Sequence, residues 1–217
     1  SGLSPYLHWG HVSAHEVFAA VAAVEGFTKV RVSTHVSGSA KGFWGMSDAG
    51  EGFVDELVTW RELGYQYCAR QPDYDRFDTL PAWARSSLAA HAGDAREATY
   101  TLAELEEART HDALWNAAQR QLVRDGVIHN YLRMLWGKKV LEWTPRAEDA
   151  FEWLVHLNNK YGVDGRDPSS YSGIAWVFGR FDRPWPERNV FGVVRSMSSA
   201  STRKKLRLDA WLARYGA

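Results

Sequence analysis

The residues best equipped for chemistry in this chain are its tryptophans and the arginines near them. Eleven of 217 residues are Trp, and Trp136 and Trp143 stand seven apart in 132-LRMLWGKKVLEW-143. Seven residues at about 3.6 per turn return to nearly the same helix face, about 10 Å further along the axis. Trp60, Trp115, Trp136, Trp143, Trp176 and Trp185 are interleaved with Arg61, Arg133, Arg183 and Arg195. That mixture suits a planar aromatic ligand together with a phosphate backbone. An aromatic stripe at helical spacing is ordinarily core, so spacing alone leaves packing and electron transfer both open. No Walker loop, dinucleotide fingerprint, HExxH or CxxC occurs. The eight histidines lack ligand spacing: His8 and His11 fall three apart, with no nearby Cys or further His to complete a set. No metal site is expected.

The chain that must position these groups has ordinary soluble composition, 45% hydrophobic and 24% charged. Its single cysteine, Cys68, excludes a disulfide scaffold and fits a reducing, cytoplasmic setting. No apolar run approaches the roughly 20 residues of a membrane span. Net charge is zero, but nine Lys/Arg face three Asp/Glu from Arg180 onward. Such a block suits a local polyanion contact, or simply a solvated helix face. The abrupt opening, 1-SGLSPYL, reads as the interior of a longer protein.

Hydrophobic periodicity predicts an all-α class. Ser13–Glu16 and Thr101–Glu104 read as capping boxes, opening helices over 14–24 and 102–108. Phe53, Leu57, Trp60, Leu63 and Tyr67 predict a helix over 51–69. Glu56 and Trp60 would then share a face, one turn apart. Further helices are expected over 112–125, 127–143 and 169–179, with Thr144–Pro145 as N-cap and first residue of another to Tyr161. A terminal helix is expected over 202–215. Residues 37–45 read as an irregular loop and 71–81 as a turn-rich linker.

Six blocks carry a resemblance: LSPYLHWGHVS, ELVTWRELG, THDALWNAAQ, HNYLRMLWGKKVLEWTP, LNNKYGVDGRDPSSYSGIAW and DRPWPERNVFG. In this order they resemble the helical flavin domain of class II cyclobutane pyrimidine dimer photolyases, over nearly the whole chain. The resemblance implies one all-α FAD- and DNA-binding domain over 1–217, monomeric, without the N-terminal α/β antenna domain. It implies light-driven splitting of pyrimidine dimers in DNA by an electron from reduced FAD.

The same resemblance distributes roles. Ser1, Gly2, Leu3 and Ser4 match the end of a flavin phosphate-binding turn, or a plain N-cap before Pro5. Arg133 and Asp164 match an ion pair against the isoalloxazine ring, with Gly165 and Arg166 following. Asn158 matches the amide facing flavin N5, with Asn159 as the rival assignment. Glu56 would bond the dimer, protonated when desolvation raises its pKa. Trp60 and Trp176 would wall the dimer pocket, joined by Arg61, Asn130 and Met134. Some relatives carry Gly where Asn130 sits. Trp136, Trp115 and Trp143 match an electron relay running from flavin to surface. Arg183 and Arg195 match supports of the opened DNA, with Lys204 and Lys205 adding phosphate contacts. Two other readings remain: a cryptochrome-like photoreceptor without repair, and a helical DNA-binding domain that holds no flavin.

Overall fold

The computed structural model describes residues 1–36, 38 and 41–216. It forms two compact units, Ser1–Arg70 and Gln71–Ala217. The class is all-α: among the described residues, β pairing is limited to one isolated bridge, Arg188 with Gly192. No helix among them is long and apolar enough to cross a membrane.

The first unit opens with α1 (Ser4–His8) and α2 (Ala14–Val24). Ser13 caps α2 by accepting from Glu16 N, the serine half of the expected box. The Gly/Ser-rich stretch that follows is tied down at several points. Ser33 N donates to Phe43 O, and Arg31 Nη1 to the carbonyls of Glu25 and Gly26. The buried Glu51 carboxylate accepts from Phe43 N and Met46 N. Phe18, Phe27, Phe43 and Trp44 form an aromatic cluster with centroids 5.2–6.1 Å apart. Ser37, Ser39 and Ala40 of the expected loop lie outside the described residues.

The long helix starts earlier than expected, because Ser47 Oγ accepts from Gly50 N as its N-cap. It comprises α3 (Asp48–Val54), a π-helical segment (Asp55–Trp60) and α4 (Arg61–Arg70). The wider turn brings residues five apart into line, and Trp60 Nε1 donates to Asp55 Oδ2 at 3.1 Å. Glu56 and Trp60 therefore do not stand in simple α-helical register. Single π turns of this kind are frequent at functional sites.

The second unit contains α5 (Ala82–Ala90), α6 (Leu102–Glu106), α7 (Ala113–Asp125), α8 (Asn130–Trp143), α9 (Ala147–Tyr161), α10 (Pro168–Val177), α11 (Ser199–Lys205) and α12 (Asp209–Tyr215). Helix α8 is central and packs against α7, α9, α10 and α11. Although α8 mixes polar and apolar residues, neighbours cover it on most sides: Leu132, Leu135, Trp136, Val140, Leu141 and Trp143 are all buried. A Cβ at Gly137 would fall 2.6 Å from Val177 Cγ2, so glycine lets α8 and α10 approach. Gly126, at φ +71°, ends α7 in the left-handed region.

Further departures from the sequence expectation have local causes. Thr144 does not cap α9; its hydroxyl donates to Val140 O at 2.7 Å and closes α8, so α9 starts at Ala147 behind Arg146. The terminal helix breaks at extended Leu206 into α11 and α12. After the break, Leu208 and Tyr215 are buried, and Trp211 Nε1 bonds Gln121 Oε1 on α7. Helix α5, short and rich in Ala and Ser, lacked a readable stripe; it buries Ala84 and Leu88.

Candidate functional site

Helix α8 and the turn after α9 build a polar site in the second unit. Arg133 grips Asp164 bidentately, Nη1 to Oδ2 at 3.1 Å and Nη2 to Oδ1 at 2.8 Å. The Asp164 side chain is 8% exposed and that of Arg133 25%, so the fork stays reachable while its partner is covered. Such planar pairing is specific to arginine. The turn is held by Gly162 N on Asn158 O and Gly165 N on Gly162 O. A Cβ at Gly165 would meet both carbonyl oxygens at 2.8 Å. Arg166 follows at φ +68°, exposed.

The two asparagines are distinguished by their partners. Asn159 Oδ1 accepts from Asn158 Nδ2 and Arg166 N, while its Nδ2 donates to Tyr171 Oη. Asn159 is thus a brace of the turn. Asn158 is buried at 3% exposure and gives one N–H to that brace. A guanidinium–carboxylate pair beside a neutral buried amide is a donor set that suits the polar edge of a flavin, whose N–H and C=O groups alternate.

The three tryptophans expected to form a relay are all buried: Trp136 2%, Trp115 0% and Trp143 1% exposed. Trp115 meets Trp143 edge-on, centroids 5.6 Å apart, and its Nε1 donates to Trp136 O at 3.0 Å. At the expected surface end, Trp143 is covered by Tyr100 and His111, which pack edge-on against its ring at 5.4 and 5.3 Å. Tyr100 Oη bonds His111 Nδ1 at 2.6 Å, and His111 is exposed. Lys139 lies 5.4 Å from the Trp143 ring and is paired with Glu142.

A second set of tryptophans is surrounded by cations. Trp176, half-buried on α10, has Lys138 Nζ at 4.7 Å and Arg195 Cζ at 5.4 Å from its ring centre. Arg195 also lies 4.2 Å over Trp185, with Arg183 at 5.7 Å. Arg195 is not a bare phosphate contact: its Nε lies 3.0 Å from the covered Asp182 carboxylate. That approach is an ion contact more than a linear hydrogen bond, for both atoms lack a well-aligned partner. Arg183 is exposed.

Lys138 is a feature that the pattern of residues did not reveal. It is 0% exposed and donates to Val177 O at 2.5 Å. Burial pushes its pKa down to about 7, with Asp182 opposing and Arg195 adding to the fall. Its place in a helix of mixed polarity gave no signal, because a lysine there reads as solvated. Asn130 is exposed at the first turn of α8, and Met134 is half-buried.

In the first unit, Trp60 is 38% exposed. Crowding by neighbouring atoms, and secondarily the Asp55 carboxylate, hold the Glu56 carboxyl above its ordinary pKa. The residue as a whole remains exposed, so solvent limits that rise. Arg61 is engaged by Glu62 at 2.9 Å and stacks on Tyr65 at 4.3 Å. Ser1 Oγ accepts from Leu3 N at 3.4 Å; Gly2 has φ +71°, and Ser4 begins α1 with Pro5 next. Among the described residues, no cluster of His, Cys, Asp and Glu could hold a metal.

No family model matches the chain. It is similar to the deoxyribodipyrimidine photo-lyase of Oryza sativa subsp. japonica, 42% identical over 214 residues, 98% of this chain and 39% of that protein. The same-named proteins of Methanothermobacter thermautotrophicus and Arabidopsis thaliana are 40% and 41% identical over 99% and 98% of the chain, and 43% and 40% of their own lengths. The chain thus spans about two fifths of the curated relatives it matches.

Proposed function

We propose that this chain is the flavin- and lesion-binding part of a class II photolyase, splitting cyclobutane pyrimidine dimers in DNA by light-driven electron transfer. The observation that carries the reading is similarity at 38–42% identity, over 94–99% of the chain, to four proteins named deoxyribodipyrimidine photo-lyase. FAD, when bound and reduced, supplies the electron that opens the cyclobutane ring and takes it back. The protein acts as a cytoplasmic monomer on dimer-containing DNA.

Within residues 71–217, Arg133 and Asp164 hold the polar edge of the flavin. The arginine offers positive charge there, and its buried partner fixes the angle of the fork. Asn158 offers a neutral amide that can accept or donate without imposing charge, and Asn159 keeps it in place. Gly165 and Arg166 shape the turn beneath. Trp176 gives the lesion a flat apolar wall, with Met134 and Asn130 also turned to substrate and Arg183 and Arg195 supporting opened DNA. Trp136, Trp115 and Trp143 carry electrons inward to restore the reduced cofactor.

Within residues 1–70, Ser1 to Ser4 contact the cofactor phosphates. The protonated Glu56 carboxyl donates its O–H to a dimer carbonyl oxygen, favoured by its raised pKa. Trp60 stacks on substrate, with Arg61 beside it.

The test is a visible absorption spectrum of the chain with added FAD, followed by light-dependent repair of dimer-containing DNA. Flavin bands with repair are expected. Flavin bands without repair would indicate a photoreceptor, and no bands after added FAD would leave a helical DNA-binding domain.

A further inference from the structure

Gln119 lies on α7, one turn beyond Trp115, and is 0% exposed. Its Oε1 accepts the Trp136 Nε1–H at 2.8 Å. Its Nε2 donates to the Glu106 backbone carbonyl at 3.3 Å. The second bond fixes the amide's orientation, since the flipped form would set donor against donor and acceptor against acceptor. Trp115 is held in the same manner, with Nε1–H on the Trp136 carbonyl at 3.0 Å. Both acceptors are amide oxygens, which take hydrogen bonds well and protons poorly.

That chemistry matters because one-electron oxidation makes an indole N–H strongly acidic. The group facing the N–H then decides whether the proton stays. We propose that Gln119 is a positioning residue of the electron relay, keeping the indole proton on Trp136 while the oxidising equivalent passes outward. The proposal rests on reading Trp136, Trp115 and Trp143 as a relay.

With photoexcited oxidised flavin as the acceptor, one electron would leave the Trp136 indole, and the proton would remain on Nε1, shared with Gln119 Oε1. One electron then moves from Trp115 to Trp136. Trp136 returns to its neutral N–H form, with no covalent bond made or broken. A carboxylate in place of the amide would accept the proton. The resulting neutral radical could be refilled only with the proton's return, and the relay would stall there.

The titratable groups nearby are already engaged. Glu106 on α6 accepts from Lys160 and Tyr161 on α9, with His156 at 3.7 Å. On α8, Lys138 bonds Val177 O, and Lys139 pairs with Glu142.

The experiment compares the parent chain with Gln119→Glu and Gln119→Leu, each loaded with FAD, by transient absorption and steady photoreduction between about pH 5 and 9. The parent should form the protonated tryptophan radical with a yield independent of pH. Gln119→Glu should match it at low pH, where the buried carboxyl is neutral. At high pH it should form the deprotonated radical and lose roughly tenfold in photoreduction yield. Gln119→Leu should photoreduce more slowly throughout. In the cofactor-free protein, its Trp136 indole N–H resonance should move upfield and exchange faster with solvent. If Gln119→Glu fails to fold, Gln119→Leu decides: parental radical kinetics in it overturn the proposal. A Gln119→Glu protein with the parent's radical spectrum at both ends of the pH range overturns it as well. Repair by chemically reduced flavin needs no relay. A chain that repairs but fails these arms therefore loses this proposal alone, while one that binds no flavin loses both readings.

Discussion

Two groups of tryptophans share the second unit, and their surroundings are opposite. Trp136 and Trp115 bond a side-chain amide and a backbone carbonyl, both neutral. Trp176 and Trp185 lie against Lys138, Arg195 and Arg183. A cation over an indole stabilises the neutral ring through its quadrupole, and the same charge opposes a positive hole on that ring. The first pair is thus made easy to oxidise and the second hard. On the proposed function, one residue type would serve as conductor or as wall according to what its neighbours carry.

The largest expected effect would break that comparison directly. Trp115→Phe should cut photoreduction of bound FAD by roughly tenfold or more while keeping the fold. Trp176→Phe should leave photoreduction unchanged and weaken binding of dimer-containing DNA. Photoreduction lost equally in both variants would remove the distinction.

Next comes Lys138. Its folded pKa of about 7 lies below the ordinary 10.5, so the unfolded chain binds more protons between those values. Stability should therefore rise with pH from about 7 towards 10.5, as the buried amine no longer needs a charge. Lys138→Met should abolish that rise and add roughly 1–4 kcal/mol at neutral pH, read from urea midpoints. A parent protein whose stability is flat over this range would contradict the assignment.

Arg195→Ala should reduce the salt dependence of DNA binding by less than one full phosphate contact, because Asp182 already offsets its charge. A slope change near one would restore it as a direct phosphate ligand.

The smallest effect concerns His91, which Asp94 and Glu187 hold at 2.7 and 2.8 Å and whose pKa is raised by those bonds, Asp94 first. Its contribution should be complete below its ordinary 6.5 and fade as pH rises through the elevated value. His91→Gln should flatten that decline in a thermal-melt series.

What could be read from the sequence follows from how local the cause is. The Thr101–Glu104 box is a local signal, and it marked the start of α6. Thr144 carried a local signal too, but its hydroxyl found the carbonyl of Val140 instead. The π turn was illegible because five-residue register leaves no mark in a three-to-four pattern. Arg133 and Asp164 stand 31 positions apart, and only family resemblance joined them before the 2.8 Å contact did. Gln119 and Lys138 escaped notice for a common reason: each looks like the polar side of a helix until the surrounding helices cover it.

The close approach at Gly137 has a mechanical consequence. Because a Cβ at Gly137 would crowd the Val177 side chain, the helix carrying Trp136 and the helix carrying Trp176 meet with a side chain from α10 alone at this point. Bulk added on the α8 side would have to be taken up by the spacing of the two helices. Gly137→Ala would act as a wedge, and its cost would appear first as a broadened spread of distances between labels on α8 and α10, before any loss of helix.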